Sequence, residues 1–316
     1  MPPIKIKISD HCLAVPPASS YLYRQLRRRF NVELVDDPDY LFFTVFGYEH
    51  ASPKYDHCVK IWFTGENFRP DFTKCDYAIS FDHLPNEPRH LRLPQYLHYI
   101  DPAGTLIKKP GFDALAVLRS KSRFCNFVYS NPAAATRIKF FQKLSEYKQV
   151  DSGGSVLNNL GFRPPNKQTF LESYKFTIAF ENARYPGYTT EKLVEPMLAN
   201  SLPIYWGNPA VERDFNTRSF INCHDYDTFE EVIDEIIHLD SDDGRYIARM
   251  KEPWLINNTD SEYTQDDYST MFFERVFSTP RHSAPKWAKT APRYFADCAR
   301  ETTQPVMGLP EFRVFE

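Results

Sequence analysis

The chain contains no GxGxxG, no GxxxxGK(S/T) and no GxSxG. The main sequence grounds for a dehydrogenase, a P-loop enzyme or an esterase are therefore missing. Its six cysteines, Cys12, Cys58, Cys75, Cys125, Cys223 and Cys298, are scattered and form no CxxC or Cys/His cluster. They read as reduced thiols, many of them core filler, in a reducing compartment. His57, His83, His90 and His224 share no metal-ligand spacing. No apolar run reaches membrane-span length, and the opening MPPIKIKISD lacks a signal-peptide pattern, so a cytoplasmic protein is expected. Positive charge is not in excess: 38 Lys and Arg against 41 Asp and Glu leave a net charge of −3, which gives no reason to expect a nucleic-acid partner. What is present is apolar material, 42% hydrophobic and 16% aromatic over 316 residues, enough for two cores of ordinary size.

That material is distributed as alternating short and long periods. IKIKI, VELV, LFFTVF, CVKIWF and YAISF are near-continuous apolar runs bounded by polar residues, as in strands buried on both faces of a parallel sheet. Between the first two lies SSYLYRQLRRRF, a helix with Ser19 or Ser20 placed to cap it. Leu91 to Gly111 reads as connection. A second series starts near Arg123. FCNFVYSNP, FTIAFEN, PIYWGNP and FINCHDY read as strands, AAATRIKFFQKLSEY as a helix with Ile138, Phe141 and Leu144 on one stripe, and TFEEVIDEIIHL as a helix capped by Thr228. Strand–helix alternation in both halves predicts an α/β protein of two doubly wound domains, 1–120 and 121–278, followed by a proline-containing tail over 279–316.

The segment FENARYPGYTTEKLVEPMLAN concentrates hydrogen-bonding side chains where a buried strand gives way to a helix capped by Thr189 or Thr190. Ligands of open α/β sheets bind outside the carboxyl ends of strands, and free N–H groups at a helix start favour anions. Lys192 sits in the first turn, where the helix dipole alone would prefer an acid, so an external anion such as a diphosphate would explain it. Glu191 is placed to accept from ribose hydroxyls. On spacing alone a plain capping box with surface charges explains the same residues equally well. Pro196 predicts a kink or a late helix start.

The whole run FENARYPGYTTEKLVEPMLANSLPIYWGN resembles the signature of the α-1,3/α-1,4-fucosyltransferases, glycosyltransferase family 10. The resemblance extends through SNPAAATR, GGSVLNNLG, SYKFTIAFEN and FINCHDY, and into the N-terminal half through TGENFRPDF and DYAISFDHL. It is strongest to the soluble bacterial members and covers about Trp62 to Tyr226. It implies a GT-B arrangement: two Rossmann-like domains facing across a cleft, the first for the acceptor and the second for GDP-fucose. It further implies inverting transfer of L-fucose to the 3-OH or 4-OH of N-acetylglucosamine in a β-galactosyl-N-acetylglucosamine glycan, with no cofactor or metal beyond the donor.

Carried over residue by residue, the resemblance makes Glu66 the general base. A carboxylate after KIWF, beside Trp62, Phe63 and Phe68, also suits a base whose proton affinity is raised by burial. Arg137 and Lys192 match the cations on the donor phosphates, Glu191 the ribose contact, and Asn182 and Tyr188 donor-pocket positions. Ser130, Asn131 and Gly154 join that pocket by loop position alone. The sequence departs from the pattern at ARYPG, where Arg184 and Pro186 alter the loop expected near the fucose.

Weaker signals have simpler readings. Asp225-Tyr226-Asp227 and Asp240-Ser241-Asp242 spell D-x-D, but two carboxylates are fewer oxygens than a hard cation needs, and the second reads as a solvated turn. Arg24, Arg27, Arg28 and Arg29 read as a solvated helix end, with peripheral membrane contact as the sharper alternative. A transferase using another GDP-sugar, or a non-catalytic glycan-binding relative, are the competing functions. Nothing in the chain speaks to oligomeric state.

Overall fold

The computed structural model describes residues 2–11, 16–100, 104–264 and 266–279. The expected tail, apart from Thr279, lies outside the described residues, as do Cys12 and Cys298. The chain forms two compact units.

In the first unit, β1 (Ile4–Ser9), β2 (Val32–Leu34), β3 (Tyr40–Phe43), β4 (Val59–Phe63), β5 (Tyr77–Ser80) and β6 (His90–Arg92) make a parallel six-stranded sheet in the order β2-β1-β3-β4-β5-β6. The apolar runs form strands because both faces are covered. Ile6, Phe42, Val59 and Ile61 are fully buried against Leu22 and Leu26 of helix α1 (Tyr21–Arg29) and against Phe272, Phe273 and Val276 of the last described helix. Ser20, not Ser19, caps α1, its Oγ accepting from the Tyr23 N–H at 3.2 Å. Leu91 to Gly111 is not all connection, since His90–Arg92 pairs with β5 as an edge strand.

The second unit contains α2 (Ala114–Ser120), β7 (Arg123–Phe127), α3 (Ala135–Tyr147), β8 (Val150–Ser152), α4 (Lys167–Glu172), β9 (Tyr174–Phe180), α5 (Glu191–Leu198), β10 (Leu202–Trp206), β11 (Ile221–Asn222), α6 (Phe229–Ser241) and α7 (Asp243–Lys251). Its five-stranded sheet is parallel, in the order β11-β10-β9-β7-β8. Each sheet thus has its first and third strands adjacent, at the point where the winding reverses. Thr228 caps α6 as expected. α5 starts at Glu191, so the late start does not occur; Pro196 lies inside it and forgoes the one bond its missing N–H would make to the Lys192 carbonyl.

The division between units differs from the expected 120/121 boundary. Residues through Leu93 belong to the first unit and Pro94–Thr264 to the second. The reason is packing: a 3-10 turn at Gln95–Tyr99 buries Tyr96 against Phe215, 4.8 Å between ring centroids, in the second unit's core. The second unit also ends earlier than 278. Helix α8 (Asp266–Ser278) returns to the first unit, where Phe277 and Phe273 pack on Phe30 and the Tyr40 hydroxyl donates to the Phe277 carbonyl at 2.5 Å. Cys58, Cys75, Cys125 and Cys223 are buried thiols, as core filler should be.

Candidate functional site

The second unit's switch point lies between β7 and β9. Tyr129, Ser130 and Asn131 leave the end of β7, and Glu181 and Asn182 leave the end of β9. The starts of α3 and α5 complete the rim. These elements enclose a cavity of about 310 Å³ lined by Ser130, Asn131, Arg137, Asn182, Glu191 and Lys192, together with Tyr129, Arg163, Lys167 and Glu195. Six of the eight expected donor residues therefore share one cavity. Gly154 and Tyr188 do not line it.

Arg137 dominates the chemistry. The stripe of α3 that turns inward carries Arg137, Phe140, Phe141 and Leu144, while Ile138 is only half-buried. The guanidinium is 1% exposed and lies 4.1 Å above the Tyr129 ring. It donates to the Glu181 carbonyl at 3.0 Å and to Asn182 Oδ1 at 2.5 Å. Its Nε is buried with no hydrogen-bond partner, and no carboxylate of the described residues lies within ion-pair distance. The Tyr129 ring is itself fixed, because its hydroxyl donates to the Ile178 carbonyl at 2.9 Å and accepts from the Phe180 N–H at 2.7 Å. A desolvated cation without a counter-charge costs several kcal/mol, a cost that an anion in the cavity would offset.

Lys192 is held differently. Its Nζ lies 3.0 Å from Glu191 Oε1, 3.0 Å from Thr190 Oγ1 and 3.4 Å from Glu181 Oε2. Burial works against its charge, but the two carboxylates outweigh burial and raise its pKa, so the ammonium is retained. Glu181 is fully enclosed and its pKa is raised, burial exceeding the opposing pull of Lys192. Glu181 also caps the entry to α5: Oε1 accepts from the Thr190 N–H at 2.8 Å and Oε2 from the Thr190 hydroxyl at 2.7 Å. Sequence reasoning missed this residue. Its one signal was its place immediately after an uninterrupted apolar strand, where a carboxylate has no solvent to face.

Two glycines exist to let these groups approach. A Cβ at Gly207 would fall 2.4 Å from Glu181 Cγ. A Cβ at Gly154 would fall 2.0 Å from the Tyr129 carbonyl oxygen, so Gly154 serves by packing against the β7 terminus. Tyr188 likewise sits behind the site, its carbonyl 3.4 Å from the Tyr205 hydroxyl. The ARYPG loop is anchored by Asn208, a second residue that went unassigned: its Oδ1 accepts from the Gly187 N–H at 2.7 Å and its Nδ2 donates to Thr189 Oγ1 at 3.0 Å. His224, whose Nε2 accepts from the Gly207 N–H at 3.2 Å, has its pKa lowered to about 4 by burial and by the nearby Arg184 charge, so it is neutral. Asp240 is no solvated turn, being paired with Lys148 at 2.9 Å and Lys175 at 3.0 Å.

The remaining site residue, Glu66, belongs to the first unit. It follows β4 in a turn where its N–H donates to Thr64 Oγ1 at 2.9 Å and its carbonyl accepts from the Phe68 N–H at 2.7 Å. Glu66 is exposed rather than packed among Trp62, Phe63 and Phe68, so the burial suggested by those neighbours is absent. The neighbouring Asn67 is engaged by Arg69, which also pairs with Asp82 at 2.9 Å. The Glu66 carboxylate makes no hydrogen bond or ion pair with any described residue, which leaves it available to a substrate hydroxyl.

Comparison with known proteins fits this geometry. Residues 6–99 match the alpha-(1,3)-fucosyltransferase FucT N-terminal domain, and residues 118–267 match the C-terminal domain of glycosyltransferase family 10 (fucosyltransferase). The chain belongs to that family. It is 34% identical to the alpha-(1,3)-fucosyltransferase FucT of Helicobacter pylori over 82% of its own length and 61% of the relative's, so it spans less than two thirds of that protein. It is 32% identical to a putative fucosyltransferase, R654, of Acanthamoeba polyphaga mimivirus over 51% of this chain and 29% of that one. Among solved structures, a crystal structure of an alpha1,3-fucosyltransferase superposes with a TM-score of 0.77 at 31% identity, covering 90% of this chain and 93% of the other. A structure described as alpha1,3-fucosyltransferase with GDP-fucose gives 0.73 at 30% identity, covering 88% and 91%. The two parallel sheets with their covering helices are the α/β architecture expected of a GT-B family member. Among the described residues no helix is long and apolar enough to cross a membrane.

Proposed function

We propose that this family member transfers L-fucose from GDP-β-L-fucose to the 3-OH, or the 4-OH, of N-acetylglucosamine in a β-galactosyl-N-acetylglucosamine glycan, with inversion at the anomeric carbon. The observation that carries the donor half is Arg137: a guanidinium stacked on Tyr129 in a residue that lines the cavity, with a buried, unpartnered Nε and no carboxylate to balance it. A diphosphate supplies the missing charge. Lys192, kept protonated by Glu181 and Glu191, adds a second cation, and Glu191 accepts from the ribose. Ser130, Asn131 and Asn182 line the pocket, while Tyr188 and Gly154 support it from behind.

In the proposed reaction Glu66 takes the proton of the acceptor hydroxyl as its oxygen bonds to the anomeric carbon. The bond from that carbon to the β-phosphate oxygen breaks on the opposite face. The electron pair leaves with GDP, whose added charge Arg137 and Lys192 stabilise in fixed positions. These two cations take the part that a divalent ion plays in other transferases, so the reaction is proposed to need no metal and no cofactor. The match to mouse GDP-fucose protein O-fucosyltransferase 3, 26% identical over 64% of this chain, favours a second acceptor class, a protein hydroxyl.

The test is to mix the protein with GDP-fucose and N-acetyllactosamine without added metal and to weigh the product. A disaccharide heavier by one fucose supports the reading. GDP-fucose binding without that product overturns the glycan acceptor and turns attention to protein hydroxyls. Failure to bind GDP-fucose overturns the donor, and the altered ARYPG loop then becomes the place to look for another GDP-sugar.

A further inference from the structure

The charges around the donor cavity do not cancel in pairs. Arg137, Arg163, Lys167 and Lys192 line it, with Glu191 and Glu195 as the lining acids and Glu181 just behind. Lys192 is taken up by Glu181 and Glu191, and Lys167 by Glu195. That leaves two guanidinium groups, Arg137 and Arg163, with no carboxylate among the described residues. Arg163 makes no hydrogen bond to any described residue either.

Arg163 is exposed, but the backbone carrying it is built. Asn158 Nδ2 donates to the Phe162 carbonyl at 3.0 Å and to the Gly154 carbonyl at 2.8 Å, and Asn158 Oδ1 accepts from the Gly161 N–H at 2.9 Å. On the other side the Pro164 ring presses on Gly153, where a Cβ would come within 2.8 Å of it. Pro164 and Pro165 then limit the backbone freedom of the segment. One asparagine thus ties this loop to the glycine that packs on Tyr129, and so to the platform beneath Arg137. A long cation with no partner of its own, on a fixed loop at the cavity wall, is poised for an anion inside.

We infer that Arg163 is a second contact to the donor's diphosphate, acting with Arg137. Four cations against three acids leave one positive charge in excess, and both guanidinium groups lack a carboxylate of their own, as suits a diphosphate. This rests on the donor reading above and adds to it a residue that the sequence did not single out.

The experiment is calorimetric titration of wild type, R163A and R163K with GDP, GDP-fucose and guanosine, at two salt concentrations. R163A is expected to weaken GDP and GDP-fucose by about tenfold, with R163K between it and wild type. Guanosine affinity should be unchanged, and the salt dependence of GDP binding should become shallower. Melting temperature serves as the folding control, and an exposed arginine should leave it unchanged. Equal GDP affinity in R163A and wild type would overturn the inference while leaving the donor reading intact. An equal loss for guanosine would also overturn it, by moving Arg163 to the nucleoside. Absence of GDP binding by the wild type would take down the donor reading, and Arg163's role with it.

Discussion

The two sheets place different chemistry at the same topological position. In each, the first and third strands lie side by side and their carboxyl ends open at the point where the winding reverses. In the first unit that point is occupied by Asp10, in a left-handed conformation with φ of 53°. Its carboxylate accepts from the N–H groups of Glu49 at 2.7 Å and His50 at 3.1 Å, and lies 2.5 Å from His50 Nδ1. His50 stacks on Phe43, 4.1 Å between ring centroids. The acid there is spent on the loop it organises. In the second unit Arg137 is buried with its Nε unpartnered and no carboxylate of the described residues beside it. One switch point is closed on itself, and the other presents a buried cation without a counter-charge. Topology nominates both positions, and only the residues after the strands decide which one binds.

The comparison can be broken at several places. Glu66→Gln, in the first unit, should reduce fucosyl transfer by about a thousandfold, since a general base contributes on that order. GDP affinity should stay unchanged by calorimetry, and retained turnover would remove Glu66 from the base role. In the second unit, Gly154→Ala forces a methyl into the Tyr129 backbone and should cost about 3 kcal/mol in denaturant unfolding. A variant with wild-type stability that loses only GDP binding would return Gly154 to the pocket. Lys192→Ala should weaken GDP about tenfold, because one charge-assisted contact is lost; unchanged affinity would remove Lys192 from the phosphate role.

The smallest effect sharpens the other side. Although burial opposes it, hydrogen bonding to His50 and its charge, with the two backbone N–H groups, hold the Asp10 pKa below its ordinary value. Its stabilisation is therefore fully present above the unfolded carboxylate value, near pH ~4, and is lost as pH falls through the lower folded value. Asp10→Asn should be destabilised by about 1 kcal/mol at neutral pH, and the gap to wild type should narrow in acid. Melting curves across pH would check this, and a constant gap would mean that Asp10 is not held as an anion.

How much of this the sequence shows depends on how local each cause is. All strands but β6 and β8 are readable because burial on two faces leaves apolar runs, whereas β8 is the three residues VDS, and Ser20 and Thr228 are readable as caps because capping acts within one turn. β6, three residues with His90 and Arg92 among them, has no such run. The return of α8 to the first unit is a tertiary event with nothing in its own residues to announce it. At the site, Arg137 looks like any solvated helix arginine, and only the family resemblance distinguishes it; its burial depends on Tyr129, in the preceding loop, and on Glu181, distant in the chain. Glu181 escapes notice for the same reason. Gly154, expected in the pocket, lies against the Tyr129 backbone, and a loop position does not reveal whether a glycine faces a ligand or a backbone.

The most direct measurement is GDP titration into wild type, Arg137→Ala and Asp10→Asn, one variant for each switch point, with melting curves to confirm that all three are folded. Binding by the wild type, a loss of about a hundredfold or more in Arg137→Ala, and wild-type affinity in Asp10→Asn are the results predicted. Undiminished binding by Arg137→Ala, or an equal loss in Asp10→Asn, would contradict the assignment of the donor to the second unit's switch point.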